Sequence, residues 1–530
     1  MKPIQSRGGK LSAHSPVNDT KLELVREALD SLPPRQNETR AWAPLNGCGT
    51  LLSSSMLGLV VAGGVLLAGV SAGAADTAGA ATTQSPTATA AKTQAAAAPT
   101  QLQKPAWLTD LSVSVRESYD DNVFFGGTIP AGTAYTPVTG SVEALKNHWS
   151  WITTVSPKVG FNFAPLLGDQ KVLQALTFGY APDYVTYHNA ESESYNNHRI
   201  GATVKGKVDA LSFTLDNAFN YIDGSKYGAV YPGSLLNAYA TGTIRERREQ
   251  FQDRAKITFQ YDWEKVFVRP NATLLYYDLL THQINSAGYQ NYADRYDVNG
   301  GADVGYKLQP NLALTLGYRY GHQNQEKYNF SAAEYSSPSD YNRVLFGVEG
   351  KPWKWLNVTA QIGPDFRHYA GGANGAQVED QNLTTYYGEA AVTVTASPKD
   401  SFTFQYKQWQ WVSSTGRIPY FDSLFSLSYT RKLTDALSAT LGGKLVESDY
   451  TSANNINGPA HSATIGNRDD VQYTLSAGLR YAFNSNVSAD LAYSYDLGRT
   501  AQDFSNVTPA QEEARHYNHQ LVSLGLQVKF

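Results

Sequence analysis

The sequence predicts an all-β fold, a closed antiparallel transmembrane β-barrel of about 18 strands (range about 16–20), preceded by a signal segment and a disordered linker. Three observations predict it. Apolar residues recur with a period of two from Trp107 onward, short turns alternate with long polar connections, and the last segment alternates until it closes on Phe530.

Composition sets the class. The 530 residues include 34 Tyr, 20 Phe, 9 Trp and 44 Gly against 2 Met and 1 Cys, and only 17% are charged. A barrel hides its hydrophobicity in alternate positions, so its mean looks like that of a soluble protein; the mean hydropathy here is −0.37. A helical membrane protein needs spans of about 20 apolar residues, and beyond the N-terminal region there are none. The net charge of −4 gives no reason to expect a nucleic-acid partner. A single cysteine, Cys48, excludes an intramolecular disulfide framework. Its context, Leu45-Asn46-Gly47-Cys48, superficially resembles a lipoprotein site, but the apolar run follows the cysteine and does not precede it.

The chain divides into four parts. Residues 1–55 form an N-terminal extension, either a long leader or the product of a start placed too far upstream. Residues 56–75, MLGLVVAGGVLLAGVSAGAA, are the uncharged core of a signal peptide ending in small residues, with a retained anchor as the alternative. Residues 76–105 are almost entirely Ala, Thr, Gln, Ser and Pro, with too little apolar surface to offset the entropy of ordering. Residues 106–530 are the barrel.

Within the barrel, Trp149, Trp151, Val155, Val159, Phe161 and Phe163 share a face opposite Ser150, Thr154, Ser156, Lys158 and Asn162. Leu312 to Tyr320 and Val471 to Tyr481 repeat the pattern, and helical spacing would scramble it. Short connections fall near 165–169, 209, 263–265, 309–311, 351–355, 398–400, 432–435 and 484–486. Between them come long polar ones near 126–146, 189–196, 224–245, 281–292, 324–340, 371–381, 413–417, 448–468 and 499–515. Short periplasmic turns and long outer loops are the arrangement of an outer-membrane barrel with periplasmic termini. A soluble all-β protein shares the alternation, but aromatics gather at strand ends (Trp149 and Trp151, Trp353 and Trp355, Tyr386 and Tyr387, Tyr481 and Phe483), as girdles at a lipid interface do.

The closing strand adds independent support. Val522, Leu524, Leu526, Val528 and Phe530 share one face, and an apolar strand ending on Phe is similar to the signal that such barrels present to their assembly machinery. Two further stretches resemble a particular family, the β-barrel porins of the second type, many of which accompany exopolysaccharide synthesis and export. The first is Ser118-Tyr119-Asp120-Asp121-Asn122-Val123-Phe124 followed by Val155-Ser156-Pro157-Lys158-Val159; the second runs through Tyr184, Tyr187 and Tyr195-Asn196-Asn197-His198. The resemblance implies an outer-membrane channel with no catalytic residues, and exopolysaccharide secretion components as partners.

About 18 strands leave room for an aqueous lumen, so function depends on its lining. The face opposite the apolar set carries Arg199, Lys205, Arg254, Lys256, Arg269, Arg319, Arg343, Arg367 and Lys407, with Arg116, Lys207, Arg295, Lys444, Arg480 and Lys529. Its acids are Asp110, Asp216, Asp297, Asp303, Glu349, Asp365, Glu389, Asp490 and Asp496, so bases exceed acids and anions are favoured, unless the charges pair across strands. Trp409 and Trp411 point inward if pairing is regular, whereas a bulge, the more favoured outcome, would turn them into the girdle.

Asp120 and Asp121 lack a calcium-loop spacing and read as turn residues; no metal or cofactor is expected. Rival functions are a non-conducting surface or adhesin barrel and an outer-membrane enzyme. Against the enzyme, the histidines from His148 to His519 are scattered without a motif. A plugged transporter would need about 22 strands. Solute, direction and oligomeric state are not readable.

Overall fold

The computed structural model describes residues 105–530 apart from 126–148, 169–170, 227–245, 281–293, 326–327, 331–332, 336–337, 370–381, 413–418, 450–466 and 504–515. The N-terminal extension, signal core, linker and Cys48 lie outside the described residues.

Twenty strands follow in order: β1 (Leu108–Asp120), β2 (Ser150–Asn162), β3 (Leu173–Tyr187), β4 (Tyr195–Val208), β5 (Leu211–Asp223), β6 (Gln250–Asp262), β7 (Val266–Leu279), β8 (Arg295–Gln309), β9 (Leu312–Gln325), β10 (Tyr328–Phe330) and β11 (Ala333–Tyr335). They continue with β12 (Ser339–Trp353), β13 (Leu356–Tyr369), β14 (Asn382–Thr395), β15 (Asp400–Val412), β16 (Pro419–Lys432), β17 (Leu437–Asp449), β18 (Asn467–Ala482), β19 (Val487–Asp503) and β20 (Tyr517–Lys529). Eighteen form one antiparallel sheet; β10 and β11 are a separate small hairpin within the connection from β9 to β12. Each strand pairs with its chain neighbours and β1 pairs with β20, so the sheet closes on itself and has no edge. The barrel strands run from 13 to 17 residues, more than the roughly 9–11 needed to cross hydrocarbon.

The tight turns are local chemistry. Asp209, between β4 and β5, takes φ 52°, a region that Asp tolerates better than most residues. Elsewhere a short polar side chain accepts hydrogen bonds from the backbone ahead of it. Ser397 Oγ accepts from the Lys399 and Asp400 amides, both at 3.1 Å. Thr434 Oγ1 does so from Ala436 and Leu437, and Asn484 Oδ1 from Asn486 and Val487. Pro157 has no N–H to give, and the ladder between β2 and β3 lapses around it, from Val155↔Tyr184 to Val159↔Tyr180.

Pairing fixes which residues face out. Leu316 stands beside Val304 and Phe346, and all three are half-exposed on the exterior. Ile362, Leu441, Leu475 and Leu526 are exposed on the same face. A continuous apolar belt of this size suits hydrocarbon and not water. The aromatic pairs sit as expected, Trp353 stacked on Trp355 and Tyr481 edge-on to Phe483, with one correction. Tyr386 is exterior and 62% exposed, whereas Tyr387 points inward and donates to Glu389; adjacent strand residues cannot share a face. Leu316→Arg should therefore cost about 2–4 kcal/mol, the depth-dependent range for a cation on a lipid face, read as a lowered urea midpoint of protein refolded into bilayers.

The motif around Asp120 closes the β1–β20 seam. Asp120 Oδ1 accepts from the Asn122 amide (2.6 Å), and the Phe125 amide bonds Asn122 O (2.9 Å), which turns the chain inward. Asn122 Nδ2 then donates to Asn518 O on β20 (2.9 Å), Ser118 and Ser523 hydroxyls meet at 3.0 Å, and the Phe125 ring lies 4.2 Å from that of His519. Val123 and Phe124 pack with Tyr187 and Ala190. Arg247 caps this corner, donating to Val123 O (2.6 Å) and to Tyr187 Oη, and Arg248 forks onto Glu193 at 3.0 and 2.8 Å. Asp120 and Asp121 thus belong to a buried turn at the end of the barrel that carries the long connections.

Candidate functional site: the barrel interior

Every charged residue that the sequence places on the inner face is inward in the pairing register. Pairing also turns Lys307 and Lys432 inward and keeps Lys158 on the inner face, against Asp120, Asp183, Asp262, Asp422 and Asp470, so the basic excess is narrower than the sequence suggests. The arginines do not act as free charge. Arg199 bonds Asp183 (2.7 Å) and Ala181 O. Arg269 forks onto Glu349, both contacts at 2.8 Å, and reaches Asp303 at 3.1 Å, while Arg319 takes the other Asp303 oxygen at 2.7 Å. Arg343 and Arg367 share Asp365, at 2.6 and 3.1 Å.

Arg269, Arg319, Arg343 and Arg367 form with their acids a ladder around one side of the interior, on β7, β8, β9, β12 and β13. Arg319 and Arg343 are directly opposed in register, a destabilising arrangement for like charges unless each has its own acid, as here. Aromatic faces complete the neutralisation. The Arg343 guanidinium lies 4.0 Å from the Tyr387 ring centre and 4.6 Å from that of Tyr341; Arg367 lies 4.5 Å from Tyr341. Tyr341 packs where Gly321 leaves room, since any Cβ there would run into its ring. Its hydroxyl donates to Asp297 (2.8 Å), and Gln323 Nε2 donates to the other Asp297 oxygen (2.9 Å). Arg343, Arg367, Asp365 and Gln323 are all buried.

The adjoining stretch of wall, β4 to β6, differs. Lys205 and Lys207 on β4 and Lys256 on β6 are exposed on the inner face and form no ion pair among the described residues. Asp216, which faces Lys256 in register, instead accepts from Thr203 (2.7 Å). Arg254 stands one position above Lys256 on the same inner face.

Trp409 and Trp411 correct the expectation of a girdle. The pairing of β15 with β16 runs without a bulge from Asp400↔Arg431 to Val412↔Pro419, so both rings point inward. Lys407 Nζ lies 4.9 Å over Trp409. Trp411 is buried and holds Arg295, whose guanidinium stands 4.9 Å from its ring and 4.8 Å from Tyr277.

The interior thus brings together Arg269, Arg319, Arg343 and Arg367, while Arg295 is held between Trp411 and Tyr277. Arg199, Lys205, Arg254 and Lys256 lie beside it, on β4 and β6. Sequence reasoning named the acids Asp303, Glu349 and Asp365 and the alternative that charges pair across strands, but not which base each acid meets, and it missed the tyrosines between them. One signal was available: Arg295, Arg319, Arg343 and Arg367 recur at intervals of 24 residues, one on each of four strands neighbouring in the sheet. The assembly-signal residues are on the exterior, with Val522, Leu524, Leu526 and Phe530 exposed and Val528 half-buried. No metal-ligand cluster occurs among the described residues. His519 Nδ1 lies 2.8 Å from Asp496, with the Phe125 ring packed against the imidazole.

No family model matches the sequence, and no curated protein does. Solved structures similar in fold include the ferric citrate transporter FecA (10% identity, 80% of this chain and 79% of that one, TM-score 0.39). Others are OmpT of Vibrio cholerae (14%, 81% and 100%, TM-score 0.29) and a bacterial polysaccharide outer membrane secretin (10%, 79% and 98%, TM-score 0.27).

Proposed function

We propose that the chain is a non-catalytic outer-membrane channel whose lumen favours anions, with acidic sugars or polysaccharide as the class of solute. The observation that carries this is the division of the interior charge. The arginine ladder is neutralised by its own acids, whereas Lys205, Lys207 and Lys256 are exposed cations without ion pairs among the described residues. Fixed charge on a lumen wall selects mobile ions of opposite sign. In this reading the exterior belt meets lipid, the short-turn end faces the periplasm, and the partners are the barrel-assembly machinery and exopolysaccharide secretion components.

The test is the reversal potential of single channels in a salt gradient. Wild-type protein should prefer chloride over potassium, and replacing Lys205, Lys207 and Lys256 together with Glu should reverse the preference. Cation selectivity in the wild type would contradict the reading.

A second reading, a closed surface barrel, is favoured by the dense packing of the interior at the long-connection end, where Arg248, Gln250, Gln323 and Tyr341 are almost without exposure. It predicts no conductance from any variant.

A further inference from the structure

The paired ends of β15 and β16 do not follow the barrel wall. Register puts Gln410 and Phe421 opposite each other on the outer face, yet Gln410 is only 2% exposed and Phe421 8%. β15 also reaches β9, although β12, β13 and β14 lie between them in the sheet. A strand end on the wall could not do this. It has bent into the barrel. Gln323 Nε2 donates to the Gln410 carbonyl (3.2 Å), and Trp411 closes over Arg295 and stands edge-on to Tyr277, ring centres 6.2 Å apart.

The inward position carries an internal cost. Both side-chain amide atoms of Gln410 are buried without a hydrogen-bond partner, and each such group forfeits its hydration. Moving this end back to the wall would return the amide to water and release Trp411 from Arg295. Arg295 would keep Tyr277 at its other face, so opening strands no bare cation there. An element that Gln323 and the Trp411 contacts hold inside, and that is penalised where it sits, has the two opposing tendencies of a two-state switch.

From this we infer that the β15–β16 end is a gate across the lumen, closed in this structure by the Trp411–Arg295–Tyr277 stack. The inference rests on the channel reading above and adds that conduction is regulated from within the wall.

Trp411→Ala and Trp411→Phe, recorded in planar bilayers in potassium chloride, test it. Trp411→Ala removes the stack and should raise open probability severalfold, with chloride preference unchanged; Trp411→Phe keeps a ring over Arg295 and should stay near wild type. A second arm is Gln410→Met, which removes the unpaired amide and keeps the bulk. It should lower open probability severalfold, with chloride preference unchanged.

The gate is overturned if folded Trp411→Ala conducts as wild type does, including no conductance in either, or if Gln410→Met opens as often as wild type. Should Trp411→Ala not fold, Gln410→Met decides alone. Cation preference in an open variant would contradict the channel's selectivity and leave the gate standing, so the two failures are distinguishable.

Discussion

Asp365→Ala should be among the most damaging single substitutions in the barrel, lowering unfolding free energy by about 3–5 kcal/mol, the cost of leaving a buried charge uncompensated. Here one carboxylate serves two guanidinium groups, Arg343 and Arg367, whose side chains are 9% and 0% exposed. Removing it leaves two cations in a low-dielectric pocket. Tyr341 and Tyr387 faces, with Ser339 and Gln323 oxygens at 3.3 and 3.0 Å from Arg367, offset only part of that. Adding Arg343→Met to Asp365→Ala should recover part of the loss, because a buried pair replaced by an apolar side chain is often neutral. Urea unfolding in lipid, followed by tryptophan fluorescence and heat-modifiable migration, measures both. A loss below about 1 kcal/mol, the worth of an exposed pair, would mean that water reaches the triad.

The triad also marks the limit of what the sequence discloses. Strand identity, the alternation of turns and the closure of β20 against β1 are legible because each depends on a local period of two and on turn chemistry carried by residues such as Ser397, Thr434 and Asn484. Inward placement of Asp365 follows from the same period. Its partners do not, since Arg343 lies 22 residues away and Arg269 meets Glu349 across 80. Which acid neutralises which base depends on registers that turn lengths fix only jointly. The inward bend of β15 is less legible still. Period-two reasoning assumes that a strand stays on the wall, and it assigns Gln410 to the exterior, where the structure does not leave it. Tyr387 shows the converse error: pairing it with Tyr386 as girdle ignored the alternation that located the strand.

Deletion of Phe530, or Phe530→Asp, should reduce assembly in cells severalfold while leaving the assembled fraction close to wild type in stability and conductance. The geometry separates these two effects. The Phe530 amide donates to Leu111 O (2.9 Å) just beyond the ladder that seals β20 to β1, and its ring is 65% exposed on the exterior. Seam pairing continues without it from Ser112↔Lys529 to Asp120↔Leu521, and the far end is held by the Asn122–Asn518 and Ser118–Ser523 contacts. One peripheral hydrogen bond is worth only about 0.5–1.5 kcal/mol, too little to unfold a closed barrel. A large defect in cells with a small one after refolding in vitro would therefore locate the ring's role in recognition by the assembly machinery. Leu316→Arg supplies the contrast, because a cation in the apolar belt should lower stability by either route. Normal insertion of the Phe530 deletion in cells would remove the recognition role, and equal losses in cells and in vitro would turn it into a structural one.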